Sequence, residues 1–234
     1  MGSTTLNVWW EDFISAFFPN CCSACDETIY TKEEGLCLTC ASTLPFTNFH
    51  DDLQNPVYKS FWGRVKIEGA TALFWFNGKT RVQTLIHKLK YKNTPKIGIL
   101  TGEILGSQLV NSPIFSTATV VVPVPLHPAK KRKRGYNQAE MIAIGIANSM
   151  DIQLDSKNLI RVKNTNTQTK KSREERVENV KNVFQALNQE LFINQHVLLV
   201  DDVMTTGSTL ESCVLALANI ENIKISVATI AYAE

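Results

Sequence analysis

No apolar run in this chain of 234 residues reaches about 18, so no segment reads as a membrane-spanning helix. The richest amino-terminal stretch, residues 6–18, contains Glu11 and Asp12 and has no basic residue before it, which excludes a secretory signal. Position 6 is Leu6 rather than Ser or Thr, so Met1-Gly2 opens no myristoylation signal. No G-x-G-x-x-G occurs, and a dinucleotide fold has no support. Gly78-Lys79-Thr80 looks like the end of a P-loop, but the glycine needed at 73 is Leu73. There is no internal repeat and no low-complexity tract. The expectation is a soluble, cytoplasmic protein with no membrane insertion.

What is present suits a globular fold. Hydrophobic residues make up 44% and charged residues 20%, which excludes a disordered chain, a collagen and a coiled coil. The length fits one domain of ordinary size with a small satellite. Charge is unevenly spread. Residues 1–60 hold two cations, Lys32 and Lys59, against eight acidic side chains, so the net +2 leaves residues 61–234 at +8. A basic body with an acidic head points to anionic ligands such as phosphates or nucleic acid.

Five of the six cysteines fall within 20 residues. Cys22-Ser23-Ala24-Cys25 and Cys37-Leu38-Thr39-Cys40 are two C-x-x-C pairs, each able to form a knuckle with two thiolate ligands. Without secretion a disulfide framework is disfavoured. A redox C-x-x-C would occur once, near a βαβ pattern. The expectation is one structural Zn²⁺ on Cys22, Cys25, Cys37 and Cys40. Cys21 also has a workable spacing to Cys25, but Cys22 makes the two knuckles match. Cys213 lies in an apolar helical pattern and reads as a small core residue.

Periodicity predicts helices over 6–18, 80–91, 95–109, 137–150 and 208–217, and strands over 69–76, 120–122, 159–162, 197–200 and 225–230. Residues 46–62 read as a linker, which divides the chain into 1–60 (helix, zinc ribbon and linker) and 61–234. Strands alternating with helices predict an α/β fold, a parallel sheet covered on both faces.

The strongest chemical signal is Val197-Leu198-Leu199-Val200-Asp201-Asp202-Val203-Met204-Thr205-Thr206-Gly207-Ser208-Thr209. An apolar strand ends in two carboxylates. A loop of small hydroxylated residues turns on Gly207, and a helix begins. Backbone N–H groups and hydroxyls over 204–209 are able to surround a phosphate at the positive helix end. Carboxylates beside a phosphate make sense as acceptors for ribose hydroxyls or as holders of a Mg²⁺ that bridges to a pyrophosphate.

This segment resembles the phosphoribosyl pyrophosphate loop of type I phosphoribosyltransferases. The whole chain resembles the ComF/ComFC family, a zinc-bearing branch linked to DNA uptake in natural transformation. The resemblance includes the two C-x-x-C pairs, His87-Lys88-Leu89-Lys90-Tyr91, Val121-Val122-Pro123-Val124-Pro125-Leu126-His127, Arg134-Gly135-Tyr136-Asn137-Gln138, and Gln168 with Arg173-Glu174-Glu175-Arg176, in the family's order. It implies a type I phosphoribosyltransferase-like sheet and a site for phosphoribosyl pyrophosphate and Mg²⁺ on Asp201, Asp202 and the loop from Thr205 to Thr209. It also makes Lys90 and Tyr91 a polar element near the ligand; read alone, they are an ordinary helix end carrying cations.

His127 is a lone histidine, more often structural than a base. The five cations 130–134 favour binding an extended polyanion, with Tyr136 stacking on a base. A second basic cluster, Arg161, Lys163, Lys170, Lys171, Arg173 and Arg176, brackets a polar segment. In the resembling fold that segment would be a mobile loop over the site. Candidate contacts to pyrophosphate or DNA are therefore Lys90, Tyr91, His127, Arg134, Tyr136, Asn137, Gln138, Gln168, Arg173 and Arg176.

The expected function is a phosphoribosyltransferase-like protein that binds phosphoribosyl pyrophosphate with Mg²⁺ and takes part in handling incoming single-stranded DNA beside DNA-uptake proteins, with its acceptor unassigned. Alternatives are a non-catalytic module that binds nucleic acid or a partner, and a nucleotide-salvage phosphoribosyltransferase.

Overall fold

The computed structural model describes residues 20–29, 35–78, 80–162 and 183–233. The helix expected over 6–18, and Lys163, Gln168, Lys170, Lys171, Arg173 and Arg176, lie outside the described residues. The described elements begin with α1 (Leu38–Thr43), α2 (Pro56–Lys59), β1 (Gly69–Trp75), α3 (Arg81–Tyr91) and α4 (Pro95–Leu109). They continue through β2 (Val120–Pro123), α5 (Pro128–Arg134), α6 (Gln138–Met150), β3 (Gln153–Leu154), β4 (Leu159–Arg161) and β5 (Phe184–Ala186). The chain closes with β6 (His196–Met204), α7 (Ser208–Leu217) and β7 (Lys224–Tyr232).

Five strands form a parallel sheet in the order β1-β7-β6-β2-β3. The apolar run 197–200 sits at its middle because the sheet is covered on both faces. Leu198 and Val200 join a core with Leu85, Leu89, Ile97, Leu105, Ile142 and Ile146. Val197 and Leu199 point the other way, to Phe61, Phe192, Leu210 and Val214. Helices α4 and α6 touch through their backbones. A Cβ on Gly102 would lie 2.1 Å from the Ile142 carbonyl oxygen, and one on Gly145 would lie 2.1 Å from that of Ile99.

Two expectations need correction, and one element was not foreseen. The strand expected over 159–162 is not part of the parallel sheet: β4 pairs antiparallel with β5 in a separate hairpin. The basic run 130–134 is helical. Pro128 starts α5, His127 Nδ1 caps it by accepting from the Ala129 N–H at 3.2 Å, and Gly135 ends it at φ +84°. Lys and Arg are good helix formers, which a search for apolar periodicity misses. Residues 46–62 are not a loose linker. Trp75 N–H donates to Pro45 O at 2.9 Å, Thr47 N–H donates to Leu73 O at 3.0 Å, and buried Asn55 donates to Ala70 O at 2.8 Å. This segment lines the outer edge of β1, so the sheet edge is not left bare.

Candidate functional site

In an open α/β sheet the ligand crevice lies at the carboxyl ends of the strands, where connections leave in opposite directions. Here that place is between β2, whose chain runs on to β3, and β6, whose chain runs on to β7. β2 pairs with β6 only as far as Pro123 and Val200. Asp201, Asp202, Val203 and Met204 therefore extend past β2 while still paired to β7 as far as Tyr232.

The acidic pair is crowded. Asp201 accepts from the Asp202 N–H at 2.8 Å, and Lys90 Nζ from the end of α3 lies 3.1 Å from Asp202 Oδ1. Burial first, then the charge of Asp202, push the Asp201 carboxyl up to about 7; the Asp202 amide and Lys90 pull the other way. Among the described residues, Lys90 is the cation that faces the two carboxylates. A hard oxygen donor set of this kind fits a divalent cation.

Beyond Met204 the loop turns at Gly207, φ +73°, where a side chain would be strained; a Cβ there would also meet Met204 Cε at 2.9 Å. Thr206 Oγ1 and Ser208 Oγ lie 2.9 Å apart at the exposed mouth. No side chain of Gly207 caps the start of α7, and the Ser208 N–H donates to Thr206 Oγ1 at 3.5 Å, a long bond that a ligand oxygen can replace. Arg64, from the segment after α2, donates to the Thr206 carbonyl at 3.0 Å. No motif singles Arg64 out, because 142 positions separate the two residues.

The cationic candidates lie next door. Lys90, Tyr91, Asn93, Lys130, Arg132, Lys133, Arg134 and Gly135 line a cleft of about 700 Å³. Lys90 thus belongs both to the acidic strand end and to the cationic cleft. The Arg134 guanidinium lies over the Tyr91 ring at 5.5 Å and donates to Gln138 Oε1 at 2.7 Å. Tyr91 is 64% exposed, with the His87 ring 5.1 Å from its own, and is the accessible tyrosine of the two. Tyr136, expected to stack on a base, is tied down instead: it is part-buried, packs against the core and donates its hydroxyl to Leu89 O. Asn137 and Gln138 are buried, and Asn137 holds the Val124 carbonyl at 3.0 Å. His127 stands at the strand end, but its Nδ1 caps α5.

The cysteine cluster is a separate centre. The Sγ atoms of Cys22, Cys25, Cys37 and Cys40 lie within 4.8 Å of one another, and Cys21 is outside the group. Cys25 and Cys37 Sγ are 3.8 Å apart. That is the edge of a tetrahedron with metal–sulfur bonds of about 2.3 Å, so the donor set fits zinc. The Cys37 N–H donates to Cys22 Sγ at 3.3 Å and the Cys40 N–H to Cys37 Sγ at 3.4 Å, the bonds that orient knuckle thiolates. Burial opposes ionisation of Cys22, but backbone N–H groups bring its thiol down to about 6.

A parallel sheet with a carboxylate-and-glycine loop at its central strand end defines a phosphoribosyltransferase-type fold. Residues 136–234 match the phosphoribosyl transferase domain. The DNA utilization protein YhgH of Escherichia coli K12 is 30% identical over 196 residues, covering 80% of this chain and 79% of that protein. This chain belongs to the family of competence protein F and the YhgH proteins, known as ComF/ComFC. Competence protein F of Haemophilus influenzae is 39% identical over 108 residues, 45% of this chain and 47% of that protein. YhgH of Salmonella typhimurium is 32% identical over 129 residues, 53% and 56%. The chain thus spans about half the length of these last two relatives. Glutamine phosphoribosylpyrophosphate amidotransferase from B. subtilis aligns at TM-score 0.42 and 18% identity over 60% of this chain and 30% of its own. Among the described residues, no helix is long and apolar enough to cross a membrane.

Proposed function

We propose that this chain binds phosphoribosyl pyrophosphate with Mg²⁺ at the end of β6 and single-stranded DNA in the adjoining cationic cleft, and that it serves DNA uptake in the cytoplasm with partners of the uptake machinery. Lys90 carries this reading: it sits 3.1 Å from Asp202 and also lines the cleft with Arg134. The two surfaces are therefore continuous. The names competence protein F and DNA utilization protein, given to relatives, support the DNA context.

In this reading Asp201 and Asp202 accept from the ribose hydroxyls and would hold Mg²⁺, which when bound screens the pyrophosphate charge. Residues 204–209 surround the 5-phosphate with N–H groups and hydroxyls. A nucleophile forms its bond to C1 as the C1–O bond breaks, and pyrophosphate leaves with the electron pair. Lys90 and Arg134 offset its charge. Zinc held by Cys22, Cys25, Cys37 and Cys40 would have all four positions filled and would serve the ribbon's shape. The Tyr91 ring, rather than Tyr136, receives a base.

One observation favours a second reading, binding without turnover: the candidate base His127 is engaged as a helix cap through Nδ1. Calorimetric titration of phosphoribosyl pyrophosphate with and without Mg²⁺ tests the site, and absence of binding overturns the proposal. Pyrophosphate release in the presence of candidate acceptors separates the two readings.

A further inference from the structure

We infer that Arg64 is a positioning residue that aims the 205–209 loop at the phosphomonoester end of its ligand; this rests on reading that loop as the sugar-phosphate site. Arg64 Nη1 donates to Ser60 O at 2.9 Å and to Thr206 O at 3.0 Å, while Nη2 pairs with the Glu211 carboxylate in the first turn of α7. Three parts of the chain thus meet on one planar fork, which fixes their relative angles as an ammonium cannot.

The consequence follows from the peptide plane. Across a trans peptide the C=O and the next N–H point in opposite directions. Turning the Thr206 carbonyl onto Arg64 turns the Gly207 N–H away from it, toward the opposite side of the loop. Through Glu211 the same fork ties the start of α7 to the loop, so both sets of N–H donors are presented as one body. Phe61 completes this back wall, with ring atoms 3.3 and 3.4 Å from where a Gly207 Cβ would stand. Glu211 also has an electrostatic part. Paired, it holds the guanidinium behind the loop; unpaired, it would stand as a bare carboxylate beside an incoming anion.

The test uses the purified full chain, with two probes titrated by calorimetry: ribose 5-phosphate for the loop, and Mg²⁺ with inorganic pyrophosphate for the acidic end. Arg64→Ala is expected to raise the Kd for ribose 5-phosphate about tenfold, the scale of a hydrogen bond to a charged group, and to leave the pyrophosphate probe unchanged. Arg64→Lys should recover only part of the loss, and Glu211→Gln added to Arg64→Ala should recover part by removing the bare charge. A merely structural role would weaken both probes together. Equal loss on both probes, or unchanged ribose 5-phosphate binding in a folded Arg64→Ala chain, overturns the assignment. Should Arg64→Ala fail to fold, Arg64→Lys and Glu211→Gln decide it by the same split between probes. An unaltered chain that binds Mg²⁺ with pyrophosphate but no ribose 5-phosphate overturns the loop reading, and the role of Arg64 with it.

Discussion

Four thiols in the ribbon and two carboxylates at the end of β6 face the same problem, like ionisable groups forced together, and meet it differently. The thiols form a closed shell. Cys22 and Cys40 are fully buried, the four sulfurs face one another, and knuckle amides already point at Cys22 and Cys37. The carboxylates form a half-open one, with one lysine as partner among the described residues and a glycine loop beside them. A closed donor shell suits an ion that stays; an open one suits a ligand that exchanges. On the proposed reading, the contrast places structural and functional chemistry in different parts of the molecule.

The largest expected effect on folding breaks the closed shell. Cys40→Ser should abolish stoichiometric zinc by elemental analysis and lower Tm by about 10 °C, since losing ~3 kcal/mol shifts a chain of this size by roughly 2–4 °C per kcal/mol. Because Cys22, Cys40 and Leu44 share one core with Leu85 and Ile97, calorimetry should show a single transition. Two transitions would instead favour independent units over 1–60 and 61–234.

Opening the other shell should act on binding and spare folding. Asp201→Asn with Asp202→Asn should remove the Mg²⁺-dependent stabilisation by phosphoribosyl pyrophosphate, about 4 kcal/mol at a thousandfold excess over Kd. The pH dependence has two opposed arms. The form that binds a cation is the carboxylate, so Mg²⁺-dependent affinity should rise as pH passes upward through about 7. The apo protein responds the other way. Its Asp201 keeps a proton that the unfolded chain has released, so this group's stability contribution falls between about pH 4 and 7. Asp201→Asn should flatten both arms, measured by titration and by urea unfolding.

Smaller effects belong to the open side. Replacing Lys130, Lys131, Arg132, Lys133 and Arg134 with Ala should weaken single-stranded DNA and flatten the log–log salt slope by about 0.7 per lost phosphate contact, read by fluorescence anisotropy. Tyr91→Ala should cost roughly 1–3 kcal/mol of stacking. Tyr136→Phe should leave DNA affinity unchanged and cost about 1 kcal/mol of stability through the lost bond to Leu89 O.

Much of the parallel sheet and its flanking helices was legible in the chain, because buried runs such as Val120 to Val122 and stripes such as Val82, Leu85, Ile86 and Leu89 carry their period openly. The cysteine cluster was legible from spacing. The basic helix was not, since Lys and Arg leave no apolar stripe. Nor was the parting of Tyr91 and Tyr136: both follow basic stretches, and the tertiary bond of the Tyr136 hydroxyl to Leu89 O separates them. Arg64 and Lys90 acquire their partners through tertiary contacts over more than 100 residues, which local pattern does not encode.

The glycine seam has an electrostatic consequence. Gly98 faces Met141, Gly102 faces Gly145 and Gly106 faces Ser149, so α4 and α6 run in the same direction with their starts side by side. Neither start has a side-chain cap, and Asn93 and Gly135, just ahead of them, both line the cationic cleft. Each of these starts presents about half a positive charge of backbone origin, set against the carboxyl ends of α3 and α5, which reach the same cleft at Tyr91 and Arg134 beneath their own cations. Mutation of α5 does not remove it. A chain stripped of every cation in 130–134 should therefore keep a residual, salt-sensitive attraction for anions, from Lys90 and from the two helix starts that the absence of side chains at Gly102 and Gly145 allows to lie in contact.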